Sequence, residues 1–256
     1  MNPELIVKAS LDIGAAMLQA GAETIRVEDT ISRICRSYYK GNLDVTSYLS
    51  AVFVTMEVTD WDEHSGCPLI VTQHRRVSSV SNDLNKLEEL NALSRYVCEH
   101  TPEPSEIDTR LQSILKTRAS TRKVITGHIF ATFGFTIFFG GTLLDAFCCA
   151  CISILMYFAA NYLIGRLNNE LIHYFILSFI TGLPACLLEL SPLPTHMDMI
   201  MIGAVMLLIP GIALTNSLRD LLTGDIVSGS LKLLNSLLLA VAIAMGFALA
   251  MVITGV

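Results

Sequence analysis

Charge is missing from half of this sequence. Fourteen of its 17 Lys and Arg residues and 17 of its 23 Asp and Glu residues precede Val124, so everything after that point is almost uncharged. The mean hydropathy of +0.56 therefore averages a soluble half with a strongly apolar one. There is no run rich in Lys and Arg, and the net charge is -6, which argues against nucleic acid as a partner. The seven cysteines are odd in number and show no framework spacing. Cys35, Cys67 and Cys98 in the polar half read as reduced cytosolic thiols. No G-x-S-x-G elbow, P-loop or H-E-x-x-H stretch is present, so neither an enzyme class nor a cofactor is implied. A secretion signal is not expected either, because Met1 to Gly21 carries Glu4, Lys8 and Asp12 through an amphipathic pattern.

What is there divides near residue 118. Pro3 to Gln19 has helical spacing, and Gly21 is placed to end that helix. Val27 to Tyr38 reads as a second helix. Asp44–Leu49, Val52–Thr59 and Leu69–Val77 read as strands, the last after a turn at Ser65-Gly66. Ser81 to Cys98 returns to helical spacing, and Ser105 is a candidate cap for a helix running to Arg118. The sum is a small cytoplasmic α+β domain over 1–118. His64, Cys67 and His74 are three ligand types on one hairpin, but their spacing is loose and a fourth ligand is missing, so ordinary hairpin residues are the weightier reading. The corner Gly21-Ala22-Glu23-Thr24, with Arg26 and Glu28, reads first as a C-cap glycine followed by surface pairing.

Residues 119–256 contain five apolar runs, each near the ~20 residues that cross a bilayer. They are Val124–Leu144, Ala146–Ile164, Leu171–Leu190, Met197–Leu214 and Leu231–Val252, an all-α transmembrane bundle of five helices. Lys116, Arg118, Arg122 and Lys123 precede the first run, Arg166 lies in the second connection and Arg219 in the fourth. The first and third connections have no Lys or Arg. The positive-inside rule then puts the N-terminus in the cytoplasm and the C-terminus outside. An odd number of spans leaves room for an inverted second half around a midplane site. Ala242, Gly246 and Ala250, and likewise Ala240, Ala244 and Ala248, form small-xxx-small rows on the last run. Cys148, Cys149 and Cys151 read as small packing residues. His128 and Asn161 are polar within or near spans, and bonding to a neighbouring helix accounts for each as readily as a pathway role.

One stretch, Gly203 to Lys232, breaks the apolar pattern. Pro210 removes a backbone donor and Gly211 loosens the helix, leaving carbonyls without their usual partners. Polar Thr215, Asn216 and Ser217 follow, then the adjacent Arg219 and Asp220, and the Gly224-Asp225 and Ser228-Gly229 steps. Such groups at membrane depth are tolerated inside protein or beside a water-filled cavity, and transporters use broken helices to hold polar solutes. A proline kink followed by an ordinary loop is the bland alternative, of equal weight on residue types alone.

Three segments carry a resemblance: GAETIRVED from Gly21, FFGGTLLDA from Phe138, and IPGIALTNSLRDLLTGDIVSGSLK from Ile209. With the five-run layout they make the chain similar to the threonine/serine exporter family over nearly its whole length. The resemblance is to the larger subunit of the two-subunit, succinate-exporter-like branch, whose short hydrophobic companion would complete an inverted-repeat transporter as a hetero-oligomer. By position it singles out Pro210, Gly211, Asn216, Asp220, Gly224, Asp225 and Gly229, with Gly140, Gly141 and Asp145 at the first outer turn. Where the family has arginine this chain has Lys232, which keeps the charge but loses the planar fork for a carboxylate; Arg219 is a substitute fork.

The resulting expectation is a multi-pass inner-membrane subunit exporting a hydroxy amino acid or a dicarboxylate such as succinate, by proton antiport. Arg219 or Lys232 would meet the solute carboxylate, and Asp220 or Asp225 would carry the coupling proton. The rival expectation is a membrane-tethered sensor or enzyme in which the soluble domain acts and the spans only anchor it.

Overall fold

Asn2 accepts a hydrogen bond from the Glu4 N–H, Pro3 takes the first helical position, and α1 (Pro3–Gln19) follows with almost every side chain of its inner face buried. The computed structural model describes residues 2–48, 50–59, 68–77, 82–117, 120–163, 166–167 and 169–256. They form two compact units: Met1–Arg118 with Ile212–Leu233, and Ala119–Gly211 with Leu234–Val256.

In the first unit α1 stops at Gly21, whose φ of +91° suits glycine. The Gly21 N–H donates to the Leu18 carbonyl and the Ala22 N–H to the Met17 carbonyl, the double closure of a Schellman motif. α2 (Thr24–Tyr38) then packs Val27, Ile31 and Ile34 into the core. β1 (Leu43–Tyr48), β2 (Ala51–Val58) and β3 (Leu69–Arg76) make an antiparallel sheet in the order β1-β2-β3. Val45 lies opposite Val54, and Val54 opposite Gln73. Alternate residues Val52, Val54, Met56 and Val58 of β2 face the core, which is why this strand follows the period-two pattern so closely. α3 (Leu84–His100) and α4 (Pro104–Lys116) add Leu90, Leu93, Val97, Ile107 and Leu111 to that core. The expected Ser105 cap is displaced: Glu103 holds the cap position and Pro104 starts the helix, since proline fixes the helical φ and needs no N–H partner there. Cys35 is buried beside the Ser10 hydroxyl, and desolvation pushes its thiol up to about 11. His74 stacks on Phe53 at 5.7 Å. His64 and Cys67 lie outside the described residues, among which no cluster of metal-ligating side chains occurs.

In the second unit α5 (Thr121–Phe138) ends earlier than the apolar run from Val124 to Leu144 suggests. Gly140, at φ +99°, closes a second Schellman motif, with Gly140 N–H on the Ile137 carbonyl and Gly141 N–H on the Thr136 carbonyl. α6 (Leu143–Leu163) and α7 (Glu170–Glu189) are each long and apolar enough to cross a membrane, as is α10 (Ile226–Thr254). Among the described residues these are the three such helices. The 18 residues of α5 include Arg122, Lys123 and His128 and fall outside that class.

The expected fourth span, Met197–Leu214, is not one helix. α8 (Met197–Val205) has nine residues, only ~14 Å of rise, and Pro210 interrupts the chain before α9 (Gly211–Leu222) begins. Residues of α9 from Ile212 onward group with the first unit, as does the start of α10. Of the two small-residue rows on α10, one packs and one does not. A Cβ at Gly246 would run into Ser178 Oγ and the Phe175 carbonyl of α7, and Ala250 is buried. Ala240, Ala244 and Ala248 are exposed instead, beside Val241 and Met245. Phe130, Phe147, Phe158 and Val252 are also exposed, the apolar exterior a bilayer accepts.

Candidate functional site

Two segments nearly 200 residues apart in sequence meet in the first unit. One is the corner between α1 and α2; the other is the hairpin of α9 and α10. The hairpin is built by local rules. α9 ends with Gly224 at φ +95°, its N–H on the Leu221 carbonyl and the Asp225 N–H on the Asp220 carbonyl. Asp225 then caps α10, its Oδ1 accepting the Ser228 N–H at 3.1 Å. Gly229 lets the two helices touch: a Cβ there would stand 2.8 Å from the Leu221 nitrogen and 3.0 Å from the Ser217 carbonyl oxygen.

This geometry brings Asp220 of α9 against Lys232 of α10. Lys232 Nζ donates to Asp220 Oδ2 at 2.7 Å and to Thr24 Oγ1 at 2.8 Å, while Thr24 Oγ1 donates to the same Oδ2 at 3.0 Å. The three form a closed triangle of one cation, one anion and one hydroxyl. Thr24 and Asp220 are 1% exposed and Lys232 8%, so the charges are removed from water. Around the triangle, Asn216 Nδ2 donates to the Gly21 carbonyl at 3.2 Å, and Arg219 to Glu23 at 2.7 Å. Behind Thr24, Ser47 of β1 donates its hydroxyl to the Thr24 carbonyl and its N–H to Glu28. Ser228, one turn before Lys232 on α10, is fully buried, and its hydroxyl has no hydrogen-bond partner.

Among the residues singled out from sequence, Asn216, Arg219, Asp220 and Lys232 thus converge. Gly224, Asp225 and Gly229 shape the hairpin that carries them. Pro210 sits in the gap before α9, and Gly211 opens that helix. Thr24 was missed. Its segment, GAETIRVED, reads as a cap and surface corner in isolation, and the cap is there; what isolation hides is that Gly21, Glu23 and Thr24 each take a partner from α9 or α10. Lys232 and Asp220, expected in separate roles, hold each other. Arg219, expected to present a fork to solute, is engaged by Glu23.

The second unit gathers the outer-turn residues into a different group. Thr142 and Asp145 cap α6 reciprocally: Asp145 Oδ2 accepts the Thr142 N–H and hydroxyl, both at 2.8 Å, and Thr142 Oγ1 accepts the Asp145 N–H. Asp145 also accepts the His196 N–H at 2.8 Å and lies 3.0 Å from His196 Nδ1. That contact raises the pKa of His196, with Asp198 and Glu189 adding to it. Gly141 is tightly placed, its Cβ position 3.2 Å from Met199 Cβ. His128 stands edge-on to Tyr157 at 5.7 Å, with a buried, unpartnered Nδ1. Asn161 donates to its own helix at the Tyr157 carbonyl, the bland outcome. Between α6 and α7 lies a hollow of about 430 Å³ lined by Phe147, Cys148, Cys151 and Leu187, whose apolar walls offer a polar solute nothing.

A broken apolar helix, membrane-length neighbours and a buried charge triangle are features of a solute carrier, and the family comparison agrees. The family described as "Putative threonine/serine exporter" matches residues 8–254. The chain belongs to the threonine/serine exporter family. No curated protein and no solved structure matches it. Membership makes it a multi-pass membrane protein of a transporter family, and the match includes both segments that build the triangle.

Proposed function

We propose that this member of the exporter family moves a small carboxylate-bearing metabolite, threonine or serine in the first instance, through a site formed by Asp220, Lys232 and Thr24. The observation that carries the reading is the buried Asp220–Lys232 pair. A buried pair seldom adds net stability over apolar residues of similar size, so its presence calls for another use. An amino acid offers an ammonium and a carboxylate. Inserted between Asp220 and Lys232, it replaces each partner with a like one, and both buried charges stay compensated. A proton on Asp220 would remove the seat of the ammonium. Proton and amino acid would then alternate at one site, which is antiport. A dicarboxylate such as succinate is the second solute class, held through Lys232.

In this reading the chain crosses the inner membrane five times, through α5, α6, α7, α8 with the turn after it, and α10. The soluble unit is cytoplasmic and the C-terminus outside. Arg219 supports that orientation: the basic fourth connection belongs to the same compact unit as residues 1–118. A short hydrophobic companion supplies the other half, and the exposed Ala240, Ala244 and Ala248 row on α10 is a surface on which such a helix would fit. Loading cells with labelled threonine, serine or succinate and following efflux with and without the gene tests the proposal. Faster efflux of one of them is expected; equal efflux of all three would remove it.

A further inference from the structure

We infer that the Asp220–Lys232–Thr24 triangle links the proton to its solute with opposite sign for two solute classes: it excludes the proton when the solute carries an ammonium group and recruits it when the solute has carboxylates only. The inference rests on reading the triangle as the solute site. Its basis is charge balance in a dry site. Empty and deprotonated, Asp220 and Lys232 cancel, and Thr24 serves both, accepting from Lys232 and donating to Asp220 Oδ2.

A zwitterion placed between the two keeps the site neutral. A proton added to Asp220 in that complex leaves the ammonium unmatched, so protonation expels the amino acid. A carboxylate solute meets the reverse situation. With Asp220 ionised, its charge and the incoming carboxylate compete for one ammonium on Lys232. A proton on Asp220 oxygen ends the competition. The carboxyl O–H then needs an acceptor, and the Thr24 oxygen lone pair that received Lys232 is within reach. The bonds of Lys232 to Asp220 and to Thr24 both weaken, which strengthens its pull on the solute. The only bond made is O–H on Asp220, broken again when the proton leaves with or after the solute.

The other charged groups near Asp220 do not change the sign. Arg219 and Asp225 flank it on its own side, and Glu23 and Glu28 lie on the α2 side, Glu23 neutralised by Arg219 at 2.7 Å. None of them exchanges partners with Lys232 among the contacts of the triangle. A second observation points to an occupant. The Ser228 hydroxyl, buried on the same α10 face as Lys232, has no hydrogen-bond partner, and a buried hydroxyl without one is unfavourable. A solute hydroxyl or second carboxylate supplies it.

The test uses everted membrane vesicles from cells expressing the full chain with its native membrane partners, at equal pH on both sides. Solute-for-solute exchange is measured with labelled threonine and labelled succinate at several pH values. Half-saturation for threonine should improve as pH rises, and that for succinate as pH falls, each by at most about tenfold per pH unit for one linked proton. Expressing succinate values per concentration of its dianion cancels the titration of succinate itself. The Asp220→Asn variant copies the protonated state, so it should lose both slopes, hold succinate well at every pH and hold threonine poorly. Asp220→Glu, which keeps the carboxylate, should retain both signs and guards against misfolding of the Asn variant. Slopes of equal sign, or slopes that persist in Asp220→Asn, overturn the inference while leaving the exporter reading intact. If one solute alone exchanges, a slope of the wrong sign for that solute overturns it equally. Vesicles that exchange neither solute overturn the exporter reading and this inference with it.

Discussion

Removing one member of the Asp220–Lys232 pair should harm the protein more than removing both. The perturbation is a three-variant set: Asp220→Asn, Lys232→Met and the double change. In the native protein the side chains are 2% and 9% exposed and 2.7 Å apart. Asp220→Asn leaves a buried ammonium that has lost its Asp220 carboxylate and keeps the Thr24 hydroxyl among its partners; Lys232→Met leaves a buried carboxylate held by the same hydroxyl. An uncompensated buried charge of this kind typically costs about 3–5 kcal/mol. For a chain of this size that corresponds to a fall in melting midpoint of about 6–20 °C. The double variant has no charge to strand. The asparagine amide oxygen still accepts from Thr24, the methionine fills the volume of the lysine stem, and stability should return to within about 1–2 kcal/mol of wild type. The assay is fluorescence-detected melting of the full chain in detergent. Single variants as stable as wild type would show that the pair is hydrated and the burial argument wrong. A double variant worse than either single would show that the pair itself is a major stabilising element, which removes the reason for assigning it a functional role.

Three further outcomes are expected. In a cysteine-free background, a cysteine at Gly255 should react with an impermeant maleimide in intact cells and one at Ser120 only after lysis; the reverse pattern would invert the topology. His196 has its pKa raised chiefly by its hydrogen bond to Asp145, so the contact is fully present below the ordinary histidine value of 6.5 and is lost as pH rises through the raised value. The melting difference between wild type and His196→Gln should accordingly be largest at acid pH and vanish above that window, and a pH-independent difference would refute it. Reconstituted without any companion, the chain should give no flux above empty vesicles, because in the proposed two-subunit carrier it would supply only one wall of the path; robust flux from such a preparation would mean a self-sufficient homo-oligomer.

The elements of the first unit are legible in sequence because local signals agree there. Asn2, Pro3 and Gly21 bracket α1 to the residue, and alternation in Val52–Val58 marks β2. The second unit is legible in outline only. A run such as Met197–Leu214 is uniformly apolar, and hydropathy does not show where α8 stops; the stop comes from Pro210 and the turn before it. Nor does hydropathy reveal that residues from Ile212 onward join the charged unit. The candidate site divides in the same way. Gly224, Asp225 and Gly229 are singled out in sequence by the resemblance, as pathway residues; their places as turn, cap and close-contact residue come from the folded hairpin. Thr24 was not singled out, since a threonine after a glycine corner has a sufficient local explanation. Its partners, Asp220 and Lys232, come from about 200 residues away, and only the folded chain supplies them.

The two ion pairs at this junction differ in a way that bears on how it opens. Arg219 is 64% exposed and its contact with Glu23 is worth at most ~1 kcal/mol, weakened further by salt. Lys232 and Asp220 are shut away and cannot separate into water without stranding both charges. Because both lie on the α9–α10 hairpin, parting that hairpin from the α1–α2 corner would break the outer pair and withdraw Thr24, leaving Asp220 and Lys232 paired but short of one hydroxyl. In the exporter reading proposed above, a solute hydroxyl or carboxylate would take the place that Thr24 leaves. On that reading solute would favour opening, a bias that serves a carrier and that a merely structural clamp would not need.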